Sequence, residues 1–224
     1  MADAICIALL GAECTGKTTL ASDLATRLAQ DTGLKVAWVP EHLRQWCDEN
    51  GRTPRVDEQQ GILLEQHARI DAAAATHDVV VCDTTAVMTA VYHRHVFDDG
   101  SLDDLAARLH RRIDLTLMTA LDLAWVPDGL QRDGPHVREP VDTLIRQLLI
   151  RHQLPWSLVT GQGPQRLEAA LDAVAPLLRQ RSRSGQGLFT RLANRNAESS
   201  SKMWRCENCD DPDCEHQLMQ PKAG

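Results

Sequence analysis

No run of apolar residues in this 224-residue chain approaches the length of a membrane span. The opening Met1-Ala2-Asp3 also lacks the positive charge and apolar stretch of a secretion signal. These absences lead to the expectation of a cytoplasmic protein with no membrane partner. Positive charge is in short supply: 24 Lys and Arg against 31 Asp and Glu leave a formal net charge of −7. That balance argues against broad electrostatic attachment to nucleic acid and for a small-molecule partner. Internal repeats and long low-complexity tracts are missing, and so is the Asn-Lys-x-Asp base-reading motif of GTPases. The seven cysteines are odd in number and unevenly spread. Cys6, Cys14, Cys47 and Cys82 read as core or loop thiols of a reducing compartment, and the others bunch near the end.

With 43% apolar and 25% charged residues the composition is that of an ordinary globular protein, long enough for one well-buried domain and an appendage. Gly11-Ala12-Glu13-Cys14-Thr15-Gly16-Lys17-Thr18-Thr19 fits the phosphate-loop pattern G-x-x-x-x-G-K-[ST]. It follows the apolar run Ala4 to Leu10 and precedes Leu20 to Leu28, whose apolar residues recur at helical spacing. A strand that bends into a helix through this loop aims backbone N–H groups and the positive end of the helix dipole at one point. Lys17 is expected to reach the outer phosphates of a nucleotide and Thr18 to be a Mg2+ ligand. Without a GTPase base-reading motif, ATP is the expected donor.

Further strands are expected at Val36 to Val39, Val79 to Cys82, Leu115 to Met118 and Trp156 to Val159. Helical patterns run over Glu58 to Ala75, Leu102 to Ile113, Val141 to Arg151 and Arg166 to Leu178. The alternation predicts an α/β fold of the P-loop NTPase kind, a parallel sheet of about five strands with helices on both faces. In such sheets ligands lie beyond the carboxyl ends of the strands. There stand Glu41 and Arg44 after the second strand, Asp83, Thr84 and Thr85 after the third, Asp122 after the fourth and Gly161 to Gly163 after the fifth.

Asp83 suits a Mg2+ carboxylate or the cap of the following helix. Glu41 suits a proton acceptor or a partner for Arg44. Arg132 and Arg138 fall between a strand and a helix, in a segment with the makeup of a closing lid that offers cations to a transferring phosphoryl group. Cys14 beside helix-terminal N–H groups is either an inert small residue or an oxidant-sensitive thiol.

The boundaries expected are a P-loop kinase or ATPase domain over 1–181, a polar linker over 182–203 and a Cys/His tail over 204–224. In the tail, Cys206, Cys209, Cys214 and His216 either hold a structural Zn2+ or form a disordered end. A zinc knuckle there would serve contact with a protein partner or a second copy.

The ordered set of the phosphate loop, Pro40-Glu41-His42-Leu43-Arg44, the helix containing Gln66, Cys82-Asp83-Thr84-Thr85 and the segment from Trp125 to Gly134 resembles the kinase domain of NadR-type proteins and their AAA-like ATPase relatives. The resemblance covers about residues 4 to 180. It implies ATP-dependent phosphorylation of a nucleoside, nicotinamide riboside to nicotinamide mononucleotide in NAD salvage, or of another nucleoside or small hydroxyl compound; an ATP-dependent switch with a zinc-binding tail is the reading from a different class. It further implies that Gly11, Glu13, Cys14, Thr15, Gly16, Lys17, Thr18 and Thr19 bind ATP. Glu41, Arg44, Gln66, Asp83 and Thr84 would face the acceptor, and Lys17, Glu41, Asp83, Arg132 and Arg138 would carry the transfer. Thr85 stands where the family often has an acidic residue, a difference expected to bear on which sugar is held. No His-x-Gly-His adenylyltransferase motif accompanies the set.

Overall fold

The uninterrupted apolar run near the start forms strand β1 (Ile5–Leu10), in which every residue is buried. A strand can be apolar on both faces only where both faces are covered. β1 accordingly lies in the middle of a five-stranded sheet of order β2-β3-β1-β4-β5. The other strands are β2 (Val36–Val39), β3 (Val79–Asp83), β4 (Leu115–Thr119) and β5 (Ser157–Val159), and all neighbours pair in parallel. The computed structural model describes residues 4–126 and 134–182. The linker and the tail with Cys206, Cys209, Cys214 and His216 lie outside the described residues, as does Arg132.

Seven helices among the described residues connect and cover the strands: α1 (Lys17–Thr32), α2 (His42–Asn50), α3 (Val56–Ala74), α4 (Ala86–Phe97), α5 (Asp103–His110), α6 (Arg138–Arg151) and α7 (Gly163–Ser182). The alternation of side chains along β1 divides the core. Ile5, Ile7 and Leu9 pack with Leu20, Leu24 and Leu28 of α1 and with Leu171, Val174 and Leu178 of α7. On the other face Leu10 joins Leu63 of α3, Met88 and Val91 of α4, and Ile145 and Leu149 of α6. Cys6, Ala8 and Cys82 fill a smaller cluster against Ile70. Among the described residues no helix is long and apolar enough to cross a membrane.

Two helices, α2 and α4, go beyond the elements expected from periodicity. Every residue of α4 from Ala86 to Val91 is buried, so it shows no polar face and no 3.6-residue alternation to read. Its N-cap is Thr85, whose hydroxyl accepts from the Val87 N–H at 3.3 Å. The cap expected of Asp83 is therefore supplied two residues later. Thr85 also bonds Nδ1 of His110 at 2.9 Å, and His110 Nε2 bonds the Thr116 hydroxyl at 2.8 Å. Thr85 faces the core through this chain, in place of the acidic residue the family often has there.

Burial without a carboxylate partner holds the His110 imidazole well below its ordinary value of 6.5, at about 4. The unfolded chain therefore binds more protons than the folded one between those values, and stability rises with pH across that window. Acidification from pH 6.5 toward 4 is expected to remove about 3 kcal/mol. Urea denaturation over that range should show the loss in the wild type and a shallower one in His110→Gln; equal slopes would assign the acid sensitivity to other groups.

Candidate functional site

The turn from β1 into α1 depends on two backbone conformations that favour glycine. Gly11 has φ +153°, and a Cβ there would lie 2.1 Å from the Thr119 hydroxyl oxygen on β4. Gly16, at φ +73°, is the N-cap of α1 and supplies no side-chain cap, so the first-turn N–H groups are left for a ligand. Buried hydroxyls tie the loop to the sheet: Thr119 donates to Thr15 Oγ1 at 2.7 Å, and Thr15 donates to the Ala12 carbonyl at 2.8 Å. Lys17 Nζ donates to the same carbonyl at 2.8 Å. Cys14 adopts φ +53° and its thiol donates to the Val126 carbonyl at 3.1 Å, linking the loop to the segment that leads into the expected lid. Glu13 is buried, while Thr18 and Thr19 are exposed on the first turn of α1.

Sheet register brings the carboxylates to this loop. Leu9 of β1 pairs with Asp83 at the end of β3. Asp83 is 1% exposed; its carboxylate accepts from the Thr18 hydroxyl, and Oδ1 is buried with no hydrogen-bond partner. Thr84 then turns the chain at φ +69°, and its hydroxyl donates to Glu41. Glu41, at the start of α2, has a 13% exposed side chain and lies 3.8 Å from Arg44. Glu41 pairs with Arg44 and also faces Lys17 and Asp83.

Burial is the largest influence on all three central groups. It pushes the Lys17 ammonium below its ordinary value although Glu41 and Asp83 pull the other way. It pushes Glu41 and Asp83 above the usual carboxylate range against the pull of Lys17. Each carboxylate is therefore a stronger base than one in water.

An open cleft of about 490 Å³ adjoins them, lined by Thr18, Trp38, Glu41, Arg44, Asp48 and Asp83 among others. Trp38 is 41% exposed at the end of β2. Among the described residues no group of three His, Cys, Asp or Glu side chains converges as a metal cage. The Thr18 hydroxyl and the Asp83 carboxylate are nonetheless hard oxygen donors of the kind Mg2+ takes alongside phosphate and water, and the unpartnered Asp83 Oδ1 fits that use.

One expected site residue lies elsewhere. Gln66 is 2% exposed and does not line the cleft; its Oε1 accepts from the His42 N–H at 2.6 Å and its Nε2 donates to the Pro40 carbonyl at 3.4 Å. Both ends of the amide are spent on the β2–α2 turn, so Gln66 holds Glu41 in place instead of facing a ligand. Arg138 begins α6 and is buried, with Nε and Nη2 lacking hydrogen-bond partners among the described residues. Trp38, Thr119 and Arg166 join the site without having been expected there. Trp38 reads as one more apolar strand residue, and Thr119 and Arg166 give no sign in sequence of their contacts to Thr15, 104 and 151 positions away.

Gln66→Leu should cost about 1–3 kcal/mol in stability, because it leaves the His42 N–H and the Pro40 carbonyl without their partner. Thermal unfolding with and without nucleotide checks this: the variant is expected to melt lower while keeping its nucleotide-induced stabilisation, since the phosphate loop does not depend on Gln66.

No curated protein sequence matches the chain. Its fold is similar to that of NadR protein crystallised with NR (TM-score 0.62, 19% identity, 77% of this chain and 50% of that one). The same holds for NadR with NAD and AMP-PNP (0.61, 17%, 77% and 49%) and for thymidylate kinase from Ehrlichia chaffeensis (0.54, 15%, 79% and 100%). The chain thus spans about half the length of the NadR structures it matches. An AAA domain family matches residues 6–166, which include the phosphate loop, strands β2 to β5, all of β1 but Ile5, and Arg166, and the chain belongs to that AAA family of P-loop proteins.

Proposed function

We propose that the chain is an ATP-dependent kinase that phosphorylates a hydroxyl of a nucleoside, with nicotinamide riboside the best single acceptor. The observation that carries this reading is the cleft, which begins at Thr18 on the phosphate loop and continues past Asp83 and Glu41 to Trp38. A hydrolase needs room only for water beside its phosphates; here there is room for a nucleoside, with bases at its inner end. The fold likeness to NadR protein crystallised with NR, and to NadR with NAD and AMP-PNP, supports the same assignment.

In this reading the first-turn N–H groups of α1 and Lys17 bind the ATP phosphates, with Lys17 leaving the Ala12 carbonyl for the outer phosphate oxygens. Thr18 and Asp83 would hold Mg2+, which when bound neutralises phosphate charge. Glu41, basic through burial, takes the proton of the attacking hydroxyl. Arg44 holds the Glu41 carboxylate toward the acceptor. Arg138, whose guanidinium has donors to spare, and Arg132 supply lid cations for the transferring group. At the outer end, the Trp38 ring and the carboxylates of Asp48 and Glu49 make a surface suited to a flat cationic base such as a pyridinium.

Incubation with ATP, Mg2+ and a panel of nucleosides and nucleoside monophosphates, read by mass spectrometry, should yield one added phosphoryl group on nicotinamide riboside. ATP hydrolysis indifferent to every acceptor would refute the kinase reading. Lys17→Ala is expected to lower turnover about 100- to 1,000-fold, and Asp83→Asn should weaken the Mg2+ dependence. Trp38→Ala should raise the acceptor KM by roughly 2- to 30-fold with the ATP KM unchanged.

The pH profile tests the base. Because the Glu41 pKa lies above its ordinary 4.5, kcat should fall on acidification through an apparent pKa higher than that value. Glu41→Gln should lose that limb along with about 100-fold or more of kcat. An unchanged profile in the variant would return Glu41 to a purely structural pairing with Arg44.

A further inference from the structure

Arg166 stands in the first turns of α7, on the far side of the loop from the cleft, and is 4% exposed. A buried guanidinium demands several acceptors, and this one has them on three different strand-end loops. It donates to the Thr15 carbonyl in the phosphate loop, to the Gly161 carbonyl after β5 at 2.7 Å, and to the Ala120 carbonyl after β4 at 3.5 Å. Its counterion is Asp122, which it grips through Nη2. The other Asp122 oxygen accepts from the Gly161 N–H at 2.7 Å, and Gln162 Nε2 reaches the Asp122 carbonyl at 3.4 Å. A Cβ on Gly16 would lie 3.7 Å from Arg166 Nη1, so the guanidinium packs directly beneath the glycine that opens α1.

We propose that Arg166 is a positioning residue of the phosphate loop, and that with Asp122 it locks the loops after β1, β4 and β5 into one nucleotide-receiving unit. The peptide group joining Thr15 to Gly16 is planar and trans, so its C=O and N–H point in opposite directions. By holding the Thr15 carbonyl toward α7, Arg166 turns the Gly16 N–H the other way, where a phosphate oxygen can accept from it. The planar fork is essential: donors leave the guanidinium in several fixed directions, while a lysine offers one compact head that cannot span three carbonyls and a carboxylate. This assignment rests on reading the loop as a polyphosphate site and adds a residue that touches neither nucleotide nor acceptor.

Calorimetric titration of the full-length protein with ATP and, separately, with tripolyphosphate tests the proposal. Arg166→Lys, with the circular dichroism spectrum of the wild type, is expected to bind both ligands about tenfold or more weakly. Loss of ATP affinity with tripolyphosphate unchanged would place the effect at the nucleoside end and overturn the proposal. So would equal affinities in variant and wild type. A wild type that binds neither ligand would overturn the loop reading itself. If Arg166→Lys does not fold, Asp122→Asn carries the test: it keeps an oxygen for the Gly161 N–H but removes the charge that anchors Arg166. Its expected result is about threefold weaker binding of both ligands, and unchanged binding would again overturn the proposal.

Discussion

Lys17, Glu41 and Asp83 meet at the carboxyl ends of the central strands, and burial works against the charge each would carry in water. Their mutual attraction offsets that cost only in part, as expected where charges are withdrawn from solvent. A site of this kind is held together by its surroundings and is completed by what it binds. Thr18 donates to Asp83, Thr84 donates to Glu41, and Arg44 lies within 4 Å of Glu41, so the carboxylates are oriented before any ligand arrives. Such preorganisation is what makes polar groups effective in a dry site, since they need not reorient as charge moves.

The sheet order is what makes the meeting possible. β3 lies between β1 and β2, so the loops leaving these three strands open side by side, while α4 carries the chain away beneath the opposite face. The phosphate loop leaves the central strand of the sheet and is secured from the β4–β5 side. Thr119 on β4 holds it through hydroxyl contacts, and Arg166 on α7 grips its carbonyl. The cleft side is left open.

The residues proposed to touch a ligand were more legible than those that hold them. The phosphate loop, Glu41, Arg44 and Asp83 stand next to strands whose apolar runs are easy to read, and the parallel-sheet rule makes strand ends the place to look. Gln66 is the instructive misplacement: the family resemblance implied an acceptor contact, yet it satisfies backbone groups of a turn 24 and 26 positions away. Thr119, Thr85 and Arg166 share that character, with partners that only the assembled sheet brings near. Helix α4 escaped notice because a helix buried on most sides carries no periodic signal.

Lys17 already has a partner in the Ala12 carbonyl, which makes the arrival of a nucleotide an exchange and not a simple addition. A small solitary anion must displace that internal bond for little in return. A chain of linked phosphates compensates through the α1 N–H groups at the same time. On the proposed reading the resting loop is selective by valency, favouring linked phosphates over orthophosphate before any contact with base or sugar is made.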